Sequence, residues 1–201
     1  MVGMLRDAVL RVKTLDARDY SLIAVFSALM AMTTMWAIPL PFGGITHLGN
    51  TVMWTASILF GGLVGGLAGG IGGMIVDILE CPIWAPFTPF CKLASGLACG
   101  LVAGEPRRLD TITIIRIIAA TIVGGAVNCL AYAPVYLYLL GYKSMIAWLV
   151  YFLLPSPSRI ITYISTPIIS IAVLKTYPAV LSYRESVRNR MEYHKRRGER
   201  R

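Results

Sequence analysis

The segment FGGLVGGLAGGIGGMIVD, residues 60–77, constrains this chain more than any other stretch. It places eight glycines within positions 61–73, inside an apolar run that extends over 51–80. Glycine is the poorest helix former after proline, yet a run this apolar must be buried in protein or lipid. Spacing resolves the conflict. Gly65, Gly69 and Gly73 recur every four residues, as do Gly66 and Gly70, and Asp77 continues the first series. On a helix this period makes one flat stripe along which neighbouring backbones approach closely. The pattern predicts a helix-packing role for Gly65, Gly69 and Gly73, and sets Asp77 on the packed side rather than toward lipid.

Composition agrees with a membrane setting. The 201 residues are 56% hydrophobic and 14% charged, with a mean hydropathy of +0.67, whereas a soluble domain carries roughly a quarter charged residues. Positions 20–176 hold only seven of the nineteen Lys and Arg, while 177–201 hold eight. An all-α integral membrane protein follows, with an amino-terminal segment (1–19), a membrane domain (20–176) and a basic tail (177–201). The net charge of +9 is read as basic cytoplasmic ends rather than a nucleic-acid surface. The only histidines are His47 and His194, and the four cysteines lack CxxC spacing, so no metal site is expected.

Apolar stretches run over 20–38, 51–80, 88–104, 112–140 and 158–176. The second would measure about 45 Å as one helix, against a hydrocarbon core of about 30 Å. Charge decides whether it divides. Arg6, Arg11, Lys13 and Arg18 precede the first stretch, and eight basic residues follow the last. Both termini are therefore expected to be cytoplasmic, which requires an even number of spans. A turn at Gly61-Gly62, where glycine tolerates positive φ, gives six transmembrane helices. It also puts loop 105–111, with Arg107 and Arg108, inside, and loops 39–50 and 81–87 outside. A second helix over 48–61 is then only about 21 Å long and leaves a recess at one surface. The loop stretch AWLVYFLL (147–154) is too short to span and reads as an interfacial or re-entrant lid.

This topology gathers polar groups at the outer face: Thr46, His47 and Asn50 in the first loop, Asp77 and Glu80 ending the third helix, Lys92 in the fourth, and Arg159 opening the sixth. Trp84, Tyr132 and Tyr163 lie at the same level. Charges within spans are functional suspects, because hydrocarbon penalises them. Lys92 either meets an anionic ligand group or pairs with Asp77 or Glu80. Asn128, four residues before Tyr132, either contacts ligand or bonds a neighbouring helix, and Pro134 kinks the same helix. On the first helix Ala24, Ala28, Ser27 and Ala31 form a small-residue face, for internal packing or for docking a membrane partner. The tail reads as a solvated extension or as a membrane-surface anchor. With no GxxxxGK[ST] element, any ATP-driven transport requires a motor on another protein.

The order ITHLGNTVMW, LFGGLVGGLAGGIGGMIVDIL, a Trp/Pro loop and TPFCKLASGLACG resembles the substrate-binding (S) components of energy-coupling factor (ECF) transporters, over residues 20–176. The resemblance implies a six-helix bundle that captures a vitamin or related micronutrient at the outer face of the cell membrane. It implies no bound cofactor and no catalysis by this chain, with ATP used by two partner ATPases joined to a transmembrane scaffold. It implicates Ala24 and Ala28, with Ala31 on the same small-residue face, in scaffold docking. It assigns the 43–50 loop with Thr46, His47 and Asn50, together with Lys92, Asn128, Tyr132, Arg159 and Tyr163, to the ligand site, beside which the aromatic level adds Trp84. Many relatives carry an acidic residue where Asn50 stands. Pantothenate, pyridoxine-like and thiamin-precursor pyrimidines, riboflavin and queuosine precursors all suit such a site. The alternatives are a stand-alone secondary transporter using Asp77 as a proton or ion relay, and an intramembrane enzyme using Asp77 or Glu80 with His47.

Overall fold

The structure, a computed structural model, describes residues 11–36, 38–39, 45–105, 108–139, 157–177 and 179–199. The lid reading of 147–154, and most of the first outer loop, lie outside them. Among the described residues seven helices follow one another: α1 (Ala17–Met35), α2 (Gly49–Phe60), α3 (Gly62–Glu80), α4 (Thr88–Ala103), α5 (Thr111–Pro134), α6 (Pro157–Thr176) and α7 (Ala179–Glu199). Between α1 and α2 the two-residue strands β1 (Ile38–Pro39) and β2 (Ile45–Thr46) pair antiparallel. Within the same residues α3, α5 with its extension, and α6 are long and apolar enough to cross a membrane, and α4 is a shorter apolar helix.

Local chemistry sets the boundaries. Asp16 opens α1 with a reciprocal cap, its carboxylate accepting from the Asp19 N–H while that of Asp19 accepts from the Asp16 N–H. This satisfies two of the donors that every helix start leaves over. Asp110 caps α5 from one side only, accepting from the Thr113 N–H at 2.8 Å. Gly61 separates α2 from α3 at φ +106°, a conformation that side chains with a Cβ disfavour. Pro134, with no N–H to donate, ends α5, and the chain continues as a π-turn over Val135–Leu139.

The glycines of α3 cover three sides of the helix rather than one stripe. A Cβ at Gly66 would lie 2.9 Å from the Leu93 carbonyl of α4, one at Gly72 would lie 2.5 Å from the Ser27 carbonyl of α1, and one at Gly65 would lie 2.6 Å from Ser57 Cα of α2. Gly73 faces Thr88 at the start of α4. On α4, Gly96 and Gly100 return the contact against Gly66 and Gly62. Alternating large and small surfaces thus let α3 sit at the centre with α1, α2 and α4 around it. Met30, Met53, Ile58, Leu59 and Ile117 fill the core between them.

The helices alternate between two ends. Gly61, Gly104, the start of α1 and the contacts of α7 mark one, the hinge end. Asn50, Lys92 and Arg159 mark the other. At 12 residues α2 is about 18 Å long, and the recess it leaves at the hinge end is filled by α7. One face of the tail is accordingly packed into the bundle, with Val180, Arg184 and Val187 buried, while residues 192–196 are exposed. Tyr183 packs edge-on against Phe60 at 5.6 Å. Arg184 donates to the Gly104 carbonyl at the end of α4, where a cation also suits the helix dipole. The fully buried Asp19 carboxylate receives Arg11 at 2.7 and 3.1 Å, Arg190 at 3.3 Å, and the Tyr183 hydroxyl. A buried carboxylate is costly unless its lone pairs are met this fully, so the tail and the amino-terminal segment are held together through Asp19.

Candidate ligand site

At the end opposite the hinge, a cavity of about 100 Å³ lies between α2, α5 and α6. Asn50 and Trp54 face it from α2, with His47 just before that helix; Gly125, Asn128 and Cys129 face it from α5, and Arg159, Thr162 and Tyr163 from α6. Its apolar wall is the Trp54–Tyr163 pair, stacked with centroids 6.0 Å apart and planes 6° apart. Two hydrogen bonds in series fix that wall: Trp54 Nε1–H donates to Ser95 Oγ, and Ser95 Oγ–H donates to the Gly124 carbonyl, each at 2.8 Å. Gly125 is required beside it, since a Cβ there would fall 2.8 Å from Tyr163 Cζ. A bond of 2.8 Å between the Thr51 and Ser165 hydroxyls ties α2 to α6 just below.

The polar wall is made of amides, an imidazole and a guanidinium. Asn128 Oδ1 is buried and has no hydrogen-bond partner among the described residues, and such an acceptor costs stability until something donates to it. Burial, and after it the charge of Lys92, pushes the His47 imidazolium down to about 4. His47 is therefore neutral near pH 7. Its Nδ1 accepts from the Gly49 N–H at 3.3 Å, which leaves the proton on Nε2. The site thus offers a neutral donor, an open acceptor and a flat aromatic face. That combination fits a ring with polar edges. A volume near 100 Å³ is below the about 300 Å³ at which pockets for small-molecule ligands begin, so a multi-ring ligand requires the walls to part.

Five of the residues expected at the site line the cavity: His47, Asn50, Asn128, Arg159 and Tyr163. Trp84, Lys92 and Tyr132 stand behind it instead. Trp84 packs on Tyr132 and Tyr136 at 5.7 and 4.9 Å, and the Tyr132 and Thr88 hydroxyls share a hydrogen bond of 2.8 Å. Thr88 donates to Asp77, so Asp77 is committed to α4, and among the described residues Lys92 donates to Asn50 rather than to Asp77 or Glu80. Thr46 belongs to β2, opposite Ile38. Trp54, Gly125, Cys129 and Thr162 join the site without having been expected there. Each had a signal in its register, Trp54 lying four residues after Asn50, Gly125 three before Asn128, Cys129 four after Gly125 and Thr162 three after Arg159. On α1, Ala24 and Ala28 are exposed, whereas Ala31 turns inward with Ser27 and is buried.

A helical membrane bundle with an aromatic-walled, polar-edged cavity at one end is suited to holding a small solute. Comparison with known proteins narrows this further. The family described as ECF-type riboflavin transporter, S component, matches residues 14–179, and the chain belongs to that family. The structure is similar to that of the S component of a bacterial ECF transporter, with a TM-score of 0.56 and 22% identity, covering 82% of this chain and 97% of that one. No curated protein matches. The family match ends at residue 179, where α7 begins.

Proposed function

We propose that this chain is the membrane-embedded substrate-binding subunit of an ATP-driven ECF importer, and that its ligand is a flavin, riboflavin in the first instance. The cavity end faces outward, six helices (α1–α6) span the cell membrane, and both termini with α7 are cytoplasmic. The chain holds no cofactor. A transmembrane scaffold subunit docks on the exposed Ala24/Ala28 face of α1, and two ATPases on that scaffold supply the energy. The observation that carries the reading is the cavity itself: a rigid aromatic face beside Asn128 Oδ1, an acceptor left open for a ligand N–H. A flavin supplies both complements, a flat ring system and an edge that alternates carbonyls with N–H.

The test is uptake in proteoliposomes. With scaffold and ATPases co-reconstituted, radiolabelled riboflavin should accumulate only with ATP and should stop in Ala28→Trp. Uptake by this chain alone that follows an imposed proton gradient would replace the ECF reading with secondary transport through Asp77.

A further inference from the structure

Lys92 carries a charge that the cavity description leaves unexplained. Its side chain is buried in α4 and does not line the cavity. Among the described residues its one hydrogen-bond acceptor is Asn50 Oδ1, at 2.6 Å from Nζ. Behind it the ammonium lies 5.6 Å from the Tyr132 ring centroid, and Tyr132 is itself held through Thr88 to Asp77. The ammonium is thus fixed from the protein side and spends its directed bond on Asn50, which does line the cavity.

An asparagine amide has one acceptor end and one donor end. With Oδ1 committed to a buried ammonium, rotation of the amide would bring its NH₂ against a cation, a like-polarity contact in a low-dielectric setting. Only the orientation with Nδ2 free for the ligand survives. We infer that Lys92 is a positioning residue that locks the Asn50 amide, so that the cavity presents a hydrogen-bond donor at this point and selects a ligand acceptor such as a ring carbonyl. An acidic residue at position 50 would keep the contact with Lys92 but reverse what the ligand meets, since a carboxylate only accepts. The pair Lys92–Asn50 therefore sets the polarity of one cavity wall.

This inference rests on the flavin reading, and the experiment separates the two. Riboflavin affinity is measured by flavin fluorescence quenching on the purified full chain, for wild type, Lys92→Met, Asn50→Ala, the double variant and Asn50→Asp. Lys92→Met should weaken binding by about tenfold or more, the scale of a mis-set buried hydrogen bond. In the Asn50→Ala background the same change should cost almost nothing further, because there is no amide left to orient. Asn50→Asp should melt no lower than wild type, yet bind riboflavin as poorly as Asn50→Ala. Equal losses from Lys92→Met in both backgrounds would mean that Lys92 meets the ligand itself and would overturn the assignment, as would wild-type affinity in Asn50→Asp. A wild type that binds no riboflavin would overturn the flavin reading, and this assignment with it.

Discussion

Adding one methyl group to α3 tests how the bundle is packed, because the structure gives different neighbours to two glycines only three positions apart. A Cβ at Gly66 would lie 2.9 Å from the Leu93 carbonyl oxygen and 3.1 Å from Leu93 Cα. Both belong to the α4 backbone, which is held by its own helical hydrogen bonds, so α4 as a whole must move. A Cβ at Gly69 would instead meet the Met53 side chain, with Cγ at 2.5 Å and Cβ at 3.2 Å, and an unbranched thioether repacks easily. Both changes gain about 1 kcal/mol of helix propensity. Overpacking against rigid atoms costs about 1–3 kcal/mol or more, and against Met53 the cost falls toward the low end. Gly69→Ala should thus be the milder change and Gly66→Ala the more destabilising, by a difference of up to about 2 kcal/mol. At about 2–4 °C per kcal/mol for a chain of this size, the melting temperatures in one detergent should differ by several degrees. Equal values, or a lower one for Gly69→Ala, would show that α3 is rotated so that Gly66 no longer meets the α4 backbone, and would refute the reasoning.

Three further outcomes follow from the same contacts. Arg184→Met leaves the Gly104 carbonyl without its donor and should lower stability by about 1–3 kcal/mol, read as a lower melting temperature with riboflavin affinity unchanged. His47 has a folded-state value near 4 against an unfolded value near 6.5. The unfolded chain therefore takes up the proton first, and stability should fall as pH drops from about 6.5 toward 4 and stay level above; a pH series of melts should lose that limb in His47→Gln. Ala28→Trp should abolish reconstituted uptake while equilibrium riboflavin affinity stays within about twofold, since Ala28 is exposed on α1 and a scattered surface change costs little.

Much of the helical layout was legible because it depends on local chemistry. The Gly61 turn and the Pro134 kink are each written within a few residues of where they act. The glycine period announced close packing but not its partners. A four-residue repeat fixes a face of α3, while Gly96 and Gly100 on α4 decide what that face meets. Lys92 shows the limit more sharply. Its acceptor, Asn50, lies 42 positions away in sequence, whereas Asp77 and Glu80 are nearer and opposite in charge, so charge pairing alone favours the wrong partner. The tail failed to reveal itself for the same reason. Its arginines look solvated when counted, yet Asp16, Asp19 and Glu105, which hold Arg190 and Arg188, come from segments that only the fold brings together. Trp54 was hidden by its surroundings, a tryptophan in an apolar run reading first as core, and it is indeed core on one side and cavity wall on the other.

In the proposed function the cavity between α2, α5 and α6 captures one flavin. Native mass spectrometry of the purified chain with added riboflavin tests it most directly. The account predicts a single riboflavin adduct per chain, lost in Asn128→Ala, which removes the open acceptor, with the variant's melting temperature close to wild type. Absence of the adduct from the wild type, or an adduct of unchanged occupancy in Asn128→Ala, would contradict it.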